Sequence, residues 1–341
     1  MIFSYNWLKE LSGTERSPEE LAELFTTRSF EVEEVKEYAH GLDGVVVGEV
    51  LETMPHPDAN KLKVTKVSVG SGDAREIVCG APNVAAGQRV AVALPGTKLP
   101  NGAEIAETEI RGVKSSGMIC ALDELGFGTD HEGIWVLPAD AVVGSSLSEA
   151  MGLDDTLLDV KILPNRGTDA LSHYGLAREI AALEGRRSPS EGMFAKDFPE
   201  RMGDGEYSVS VAADSACPTY SGLLFRLSEN RSGLPLPMIG RMVMLEGHPI
   251  HPAADIANIL SLLYGQPMHA FDAAKLSGKK ITVRFAKAGE KLLLLDDREI
   301  ILTDEDLVIA DGAGPVALAG IMGGKDSAVS DETEEIFFEI A

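Results

Sequence analysis

A chain of 341 residues with 44% apolar side chains and only 17 prolines is globular and long enough to bury two or three cores. Its 30 basic against 54 acidic residues give a formal net charge of −24, which repels polyanions at long range; contact with a nucleic acid then needs a local basic patch, and composition by itself argues against RNA. Met1 to Phe30 carries Lys9 and Glu10 and no apolar run of signal-peptide length, and nowhere do about 18 apolar residues follow one another, so a cytoplasmic chain with no membrane segment is expected. Cys79, Cys120 and Cys217 are odd in number, far apart and free of C-x-x-C spacing, which favours reduced core thiols over disulfides or a zinc site.

Ser17-Pro18-Glu19-Glu20 combines a capping hydroxyl, a proline at the first helical position and a glutamate three residues after the serine, so a helix starts at Pro18. From Gly41 to Gly144 the pattern changes to short β-type runs (Val45 to Val50, Leu62 to Val69, Ile77 to Cys79, Val90 to Leu94) separated by Gly, Pro, Asn and Asp, the spacing of a small barrel. Asp154 to Leu163 reads as a strand; Leu171, Leu176, Ile180 and Leu183 mark a helix closed by Gly185 and expected to pack with the first one, which makes the barrel an insertion. Arg186 to Glu206, rich in charge, Ser, Pro and Gly, reads as a connector. Beyond it come strands near Tyr207 to Val211 and Ser221 to Leu227. Lys291 to Leu295 and Glu299 to Leu302 form a hairpin about Asp296-Asp297-Arg298, and further strands fall at Ile281 to Phe285, Leu307 to Ala310 and Pro315 to Ile321. The domains expected are a small N-terminal α+β domain (1–39 with 151–190), a barrel (40–150), a linker (191–205) and a mixed α+β domain (206–341).

The stretch Asp255 to Asp272 is the densest in signals. Asp255 is placed as a cap, Ile256, Ile259, Leu260 and Leu263 follow at helical spacing, Gly265 suits a left-handed C-terminal residue, and Pro267 forbids continuation. Leu262 adds apolar surface off that stripe, so the helix is expected to be covered on more than one side, which puts Asn258 at risk of burial. His269 follows in a proline-containing turn. The plain reading of this pair is an Asn bonding nearby backbone and a His satisfying a loop carbonyl. His248-Pro249-Ile250-His251, broken by proline, reads as a surface turn, and no metal-spaced cluster, Walker loop or nucleophile elbow occurs.

The barrel segment carries His56-Pro57-Asp58-Ala59-Asn60-Lys61-Leu62, Cys79-Gly80-Ala81-Pro82-Asn83-Val84, Leu99-Pro100-Asn101-Gly102 and Ser116-Gly117-Met118-Ile119-Cys120. These resemble the OB-fold tRNA-binding domain found free-standing, appended to several synthetases and inserted in the beta chain of bacterial phenylalanyl-tRNA synthetases. Pro164-Asn165-Arg166, Asp255-Ile256-Ala257-Asn258, Gly265-Gln266-Pro267-Met268-His269-Ala270-Phe271-Asp272 and Ala319-Gly320-Ile321-Met322-Gly323-Gly324 resemble that beta chain in the same order, over essentially the whole sequence. The resemblance implies an OB-fold barrel inserted in a small N-terminal domain, followed by a C-terminally incomplete B3/B4-type editing domain. It implies assembly with a synthetase alpha chain as two alpha and two beta chains, tRNA(Phe) as partner, and ATP and magnesium for the complete enzyme with no cofactor sited in this chain. It also implies hydrolysis of mischarged Tyr-tRNA(Phe) in a pocket lined by Asn258, His269, Ala319, Gly320, Gly323 and Glu339. Two departures stand out: Ala257 replaces the family's usual Thr, and the sequence stops at Ala341, whereas the family continues through further domains.

Physics gives such a pocket its own logic. An apolar pocket rejects an added hydroxyl only weakly, so a second, hydrolytic site has to prefer tyrosine, and a carboxylate such as Glu339 accepts a strong hydrogen bond from a phenol. Gly320 and Gly323 admit close backbone approach, or else meet a turn requirement of their own. His269 serves as base or as donor, and the competing view of Glu339 is an exposed edge carboxylate. The segment from His40 to Ala150 has 8 Lys and Arg against 15 Asp and Glu, a net of −7, so Lys61, Lys63 and Lys66 are the one local patch on offer to tRNA phosphates. The rival reading is a non-catalytic module in which the barrel docks RNA or protein.

Overall fold

The structure, a computed structural model, describes residues 1–128, 131, 133–187, 207–227 and 234–341; the expected linker 191–205 lies outside them. The chain divides into two compact units, Met1–Gly167 with Ser232–Pro249, and Thr168–Arg231 with Ile250–Ala341.

In the first unit, β1 (Ile2–Ser4), β11 (Thr156–Lys161) and β2 (Glu31–Glu37) form an antiparallel sheet in the order β1-β11-β2. Helix α1 (Tyr5–Ser12) is capped by the Ser4 side chain and ends on Gly13 at φ 66°. Helix α2 (Pro18–Arg28) opens with the capping box of Ser17 and Glu20 that its sequence predicts. Strands β2 and β11 are neighbours although far apart in sequence, and the chain between them makes the barrel. Its strands are β3 (Val45–His56), β4 (Ala59–Ser68), β5 (Arg75–Cys79), β6 (Arg89–Ala93), β9 (Met118–Ile119) and β10 (Val136–Leu137), ordered β10-β6-β3-β4-β5 with β9 also on β6. A hairpin of β7 (Thr108–Ile110) and β8 (Val113–Ser115) projects from it. Val50, Val67, Ile77, Val90 and Val92 point into its core, each burial worth about 1.5–3 kcal/mol.

Helix α3 (Leu147–Met151) packs against α5 (Leu236–Met244), an element the spacing did not predict. Pro235 and Pro237 lie at the helix start, where no backbone donor is needed. Gly240 is there for space, because a Cβ at that position would lie 1.9 Å from the Met151 carbonyl oxygen.

In the second unit one sheet runs β12 (Ser208–Val211), β15 (Lys280–Phe285), β18 (Leu307–Ala310), β19 (Pro315–Leu318), β20 (Met322–Gly323), with β12 and β15 parallel and the rest antiparallel. The other is β13 (Ser221–Arg226), β21 (Glu335–Ile340), β14 (Met268–Asp272), with β21 in the middle. Strands β16 (Lys291–Leu293) and β17 (Glu299–Ile301) make the expected hairpin, Asp297 taking the left-handed turn position at φ 66°. The two sheets share a core of Phe271, Phe337, Ile281, Val283, Ile309 and Ala317. On the far face of the second sheet, α6 (Pro252–Tyr264) sets Ala253 and Ala257 against Ala270, Ile336 and Phe338. Helix α4 (His173–Leu183) packs on α6, with the buried His173 Nδ1 3.0 Å from the Leu262 carbonyl oxygen.

Helix α6 corrects the sequence in three places. It begins at Pro252, with His251 as its cap accepting from the Ala253 amide, so the turn 248–251 is half of a helix start and His251 is buried. Asp255 lies inside the first turn, buried, and accepts from the Ile250 amide at 3.0 Å. That start turns the helix so that Ala253, Ala257 and Ile259 are covered while Ile256 and Asn258 are exposed. Small alanines are therefore the buried contact, and the larger Ile256 is not. All three cysteines are buried and unpaired, and burial pushes the Cys120 thiol up to about 12.

Candidate functional site

The register of the second sheet decides which side chains meet. β13 sets Gly222 opposite Glu339, and β14 sets His269 opposite Glu339 from the other side; one row further, Phe271 faces Phe337. Side chains alternate across a sheet, so Gly222, Glu339, His269, Phe271 and Phe337 share the face turned to the common core, and Ala270 and Phe338 share the other. His269 therefore sits within a strand rather than in a turn, and Glu339 belongs to a central strand rather than an edge.

The His269 ring stands edge-on to Phe271 at 4.5 Å between centroids. Gly323 lies against it: a Cβ there would be 2.5 Å from Cε1 and from Nε2. His269 Nε2 is buried with no hydrogen-bond partner, and burial pulls its pKa down to about 4, so the ring is neutral at pH 7 with a polar atom left open. Burial pushes Glu339 the other way, to about 7, against the hydrogen bond that Tyr220 Oη donates to its Oε2. The same contact and its own burial raise the Tyr220 phenol, which stays protonated. Among the described residues no Lys, Arg or His forms an ion pair with Glu339.

Of the residues named from sequence, His269, Glu339 and Gly323 come together, and Ala319 packs against the shared core. Gly320 is exposed in the turn from β19 to β20 at φ 70°, with open space where a Cβ would go, so its requirement is conformational rather than one of close approach. Asn258 lies exposed on α6, the layer covering the opposite face of the sheet, and the structure does not bring it to His269. Sequence reasoning missed Tyr220 and Gly222. The signal was period-two spacing from a strand already recognised, which puts both on one face. A cavity of about 430 Å³ elsewhere in this unit, lined by Lys275, Asp311 and Ser327 among others, includes neither His269 nor Glu339.

The barrel lysines do not form one patch. Lys63 directs its ammonium to the carbonyls of Val84 (2.8 Å) and Pro82 (3.3 Å), on the same strand face as the buried Thr65 and Val67. Lys66 has the opposite parity and pairs with Glu52 at 2.9 Å. Lys61 is exposed and, among the described residues, in no ion pair. Among the described residues no group of His, Cys, Asp and Glu is placed to hold a metal ion, and no helix is long and apolar enough to cross a membrane.

Two family models match, in the order of the two folded parts: the tRNA binding domain over residues 45–146 and the B3/4 domain over residues 216–341. Phenylalanine-tRNA ligase beta subunits align with every residue of the chain. That of Coxiella burnetii is 44% identical over 341 residues, 42% of its own length. That of Bdellovibrio bacteriovorus is 43% identical over 346, 42% of its length, and that of Geobacillus kaustophilus 44% over 351, 43% of its length. The chain thus spans about two fifths of the curated relatives it matches. With the barrel and the two-sheet unit in the positions of those two domains and identity sustained from the first residue to the last, the chain belongs to the phenylalanine-tRNA ligase beta-subunit family.

Proposed function

We propose that this chain carries an editing site that hydrolyses tyrosine wrongly attached to tRNA(Phe), with the barrel serving to bind or position the tRNA. In this reading it works beside a synthetase alpha chain that attaches phenylalanine with ATP and magnesium, in an assembly of two alpha and two beta chains in the cytoplasm. The observation that supports it best is the cross-strand pair of Glu339 and His269, a half-buried carboxyl with no cation among the described residues beside a neutral imidazole with an open nitrogen. A carboxylate so placed takes a neutral hydroxyl donor, which is the single feature that separates tyrosine from phenylalanine. A histidine held near pKa 4 is a weak proton acceptor at neutral pH, so His269 orients water or the ester carbonyl rather than abstracting a proton.

The test is Glu339→Ala in the complete enzyme with its alpha chain. Loss of a charge-assisted hydrogen bond, about 1.5–3 kcal/mol, slows hydrolysis of Tyr-tRNA ten- to hundred-fold, while hydrolysis of Phe-tRNA holds or rises and charging with phenylalanine stays normal. A parallel fall for both esters, or a collapse in charging, removes Glu339 from the phenol-reading role.

A further inference from the structure

Glu339 is already engaged. Its Oε2 accepts the hydroxyl of Tyr220, a half-buried residue immediately before the edge strand β13, whose ring packs at the margin of the shared core. An ionised carboxyl is acceptor-only, and a phenol is the one side-chain donor that the described residues place on this one. Across the strand from Glu339, Gly222 makes room for the Phe337 ring, which a Cβ there would strike at 2.1 Å. The site thus contains, from its own chain, the same functional group that the proposed substrate carries.

We propose that Tyr220 is a resident phenol, which occupies the Glu339 carboxylate while the site is empty and yields it to the phenol of an incoming tyrosyl group. This rests on the reading of the site as one that takes tyrosine. Selection becomes an exchange of one phenol for another. A phenylalanyl ligand leaves Tyr220 in place and Glu339 satisfied, so the desolvation penalty that a bare carboxylate would impose on phenylalanine is absent. Tyr220 therefore sets the width of the discrimination, and removing its hydroxyl widens it.

The chain is titrated with L-tyrosinamide and L-phenylalaninamide by NMR chemical shift, as wild type, Tyr220→Phe, Glu339→Gln and the double variant. The expected result is a wild-type preference for tyrosinamide that grows about tenfold in Tyr220→Phe, the size of one charge-assisted bond released from competition. Glu339→Gln abolishes the preference, and adding Tyr220→Phe to it changes nothing. In the wild type, independently of any variant, the Tyr220 ring Cζ resonance shifts on adding tyrosinamide and stays put with phenylalaninamide. A wild-type preference that is unchanged or reduced in Tyr220→Phe, or a Tyr220 resonance indifferent to tyrosinamide, makes Tyr220 a fixed prop of the carboxylate; the proposal then fails while the site reading stands. No preference in the wild type overturns both.

Discussion

In the barrel, Lys66 lies 2.9 Å from Glu52, Lys114 lies 2.9 Å from Glu107, and Lys63 directs its ammonium onto two carbonyl oxygens; in the two-sheet unit, the half-buried Glu339 rests on a phenol and the buried His269 Nε2 meets no partner among the described residues. Exposed ion pairs such as the first two contribute about 0–1 kcal/mol each, so the barrel surface loses little if they are exchanged. A buried polar group without its partner costs about 1–3 kcal/mol, and a fold that keeps His269 Nε2 in that state holds it against its own stability. Counting charges finds candidates in both regions, but the second sets a carboxyl and an imidazole whose pKa values burial moves in opposite directions on neighbouring strands.

The largest expected effect comes from closing the space behind His269. Gly323→Ala places a methyl 2.5 Å from the ring, so the imidazole must move; hydrolysis of Tyr-tRNA by the complete enzyme falls about a hundredfold for a displacement near 1 Å, and overpacking lowers stability by about 1–3 kcal/mol. Gly320→Ala is the control, because it meets no atom and strains only the backbone, at about 1–2 kcal/mol, with hydrolysis unchanged. Equal hydrolytic losses in the two variants erase the distinction between close approach and turn geometry.

A second effect sharpens the contrast through pH. Glu339 rises from an ordinary 4.5 to about 7, so its contribution to stability is complete below 4.5 and lost as pH rises through 7. His269 falls from 6.5 to about 4, so its contribution is complete above 6.5 and lost as pH falls through 4. The slopes oppose each other between 4.5 and 6.5. Urea midpoints measured across that window should be nearly flat for these two groups together, rise with pH in Glu339→Gln, and fall with pH in His269→Asn. Identical pH profiles in the two variants would show that neither group is perturbed.

The smallest effect belongs to the barrel. Lys61→Ala should lower the salt dependence of tRNA binding by about one counterion, while Lys63→Ala and Lys66→Ala leave the slope alone because those ammonium groups are already engaged. A drop of about three counterions in the triple variant would mean that all three exchange their present partners for phosphate.

What the sequence makes legible is local. The Ser17 capping box, the left-handed Gly265 and the alternation through the barrel each announce themselves within a few residues, because propensity and pattern agree there. Misreadings arise where a residue has a second use. Asp255 caps nothing because His251 does so first, and the true start turns Asn258 to solvent. The candidate site was half readable. His269, Glu339 and Gly323 were named by resemblance, yet their meeting depends on β21 lying between β13 and β14, a pairing between segments more than sixty residues apart in sequence for β14 and more than a hundred for β13. Strand spacing puts Tyr220 on one face with Gly222, and its meeting with Glu339 follows only from that register.

That central strand has a consequence for how the chain tolerates insertions and deletions. Because β21 is paired on both sides, its register is fixed twice, and a slip of one residue exchanges every side chain between faces. Deleting one residue between Glu335 and Phe338 would bring Ile340 to the position beside His269 and drive the Glu339 carboxylate, now in the place of Phe338, toward the alanines of α6. The hairpin turn at Asp296 to Arg298 faces no such constraint, being exposed at its tip. Length variation should therefore be absorbed at turns like that one, while β21 keeps its residue count even where its side chains change.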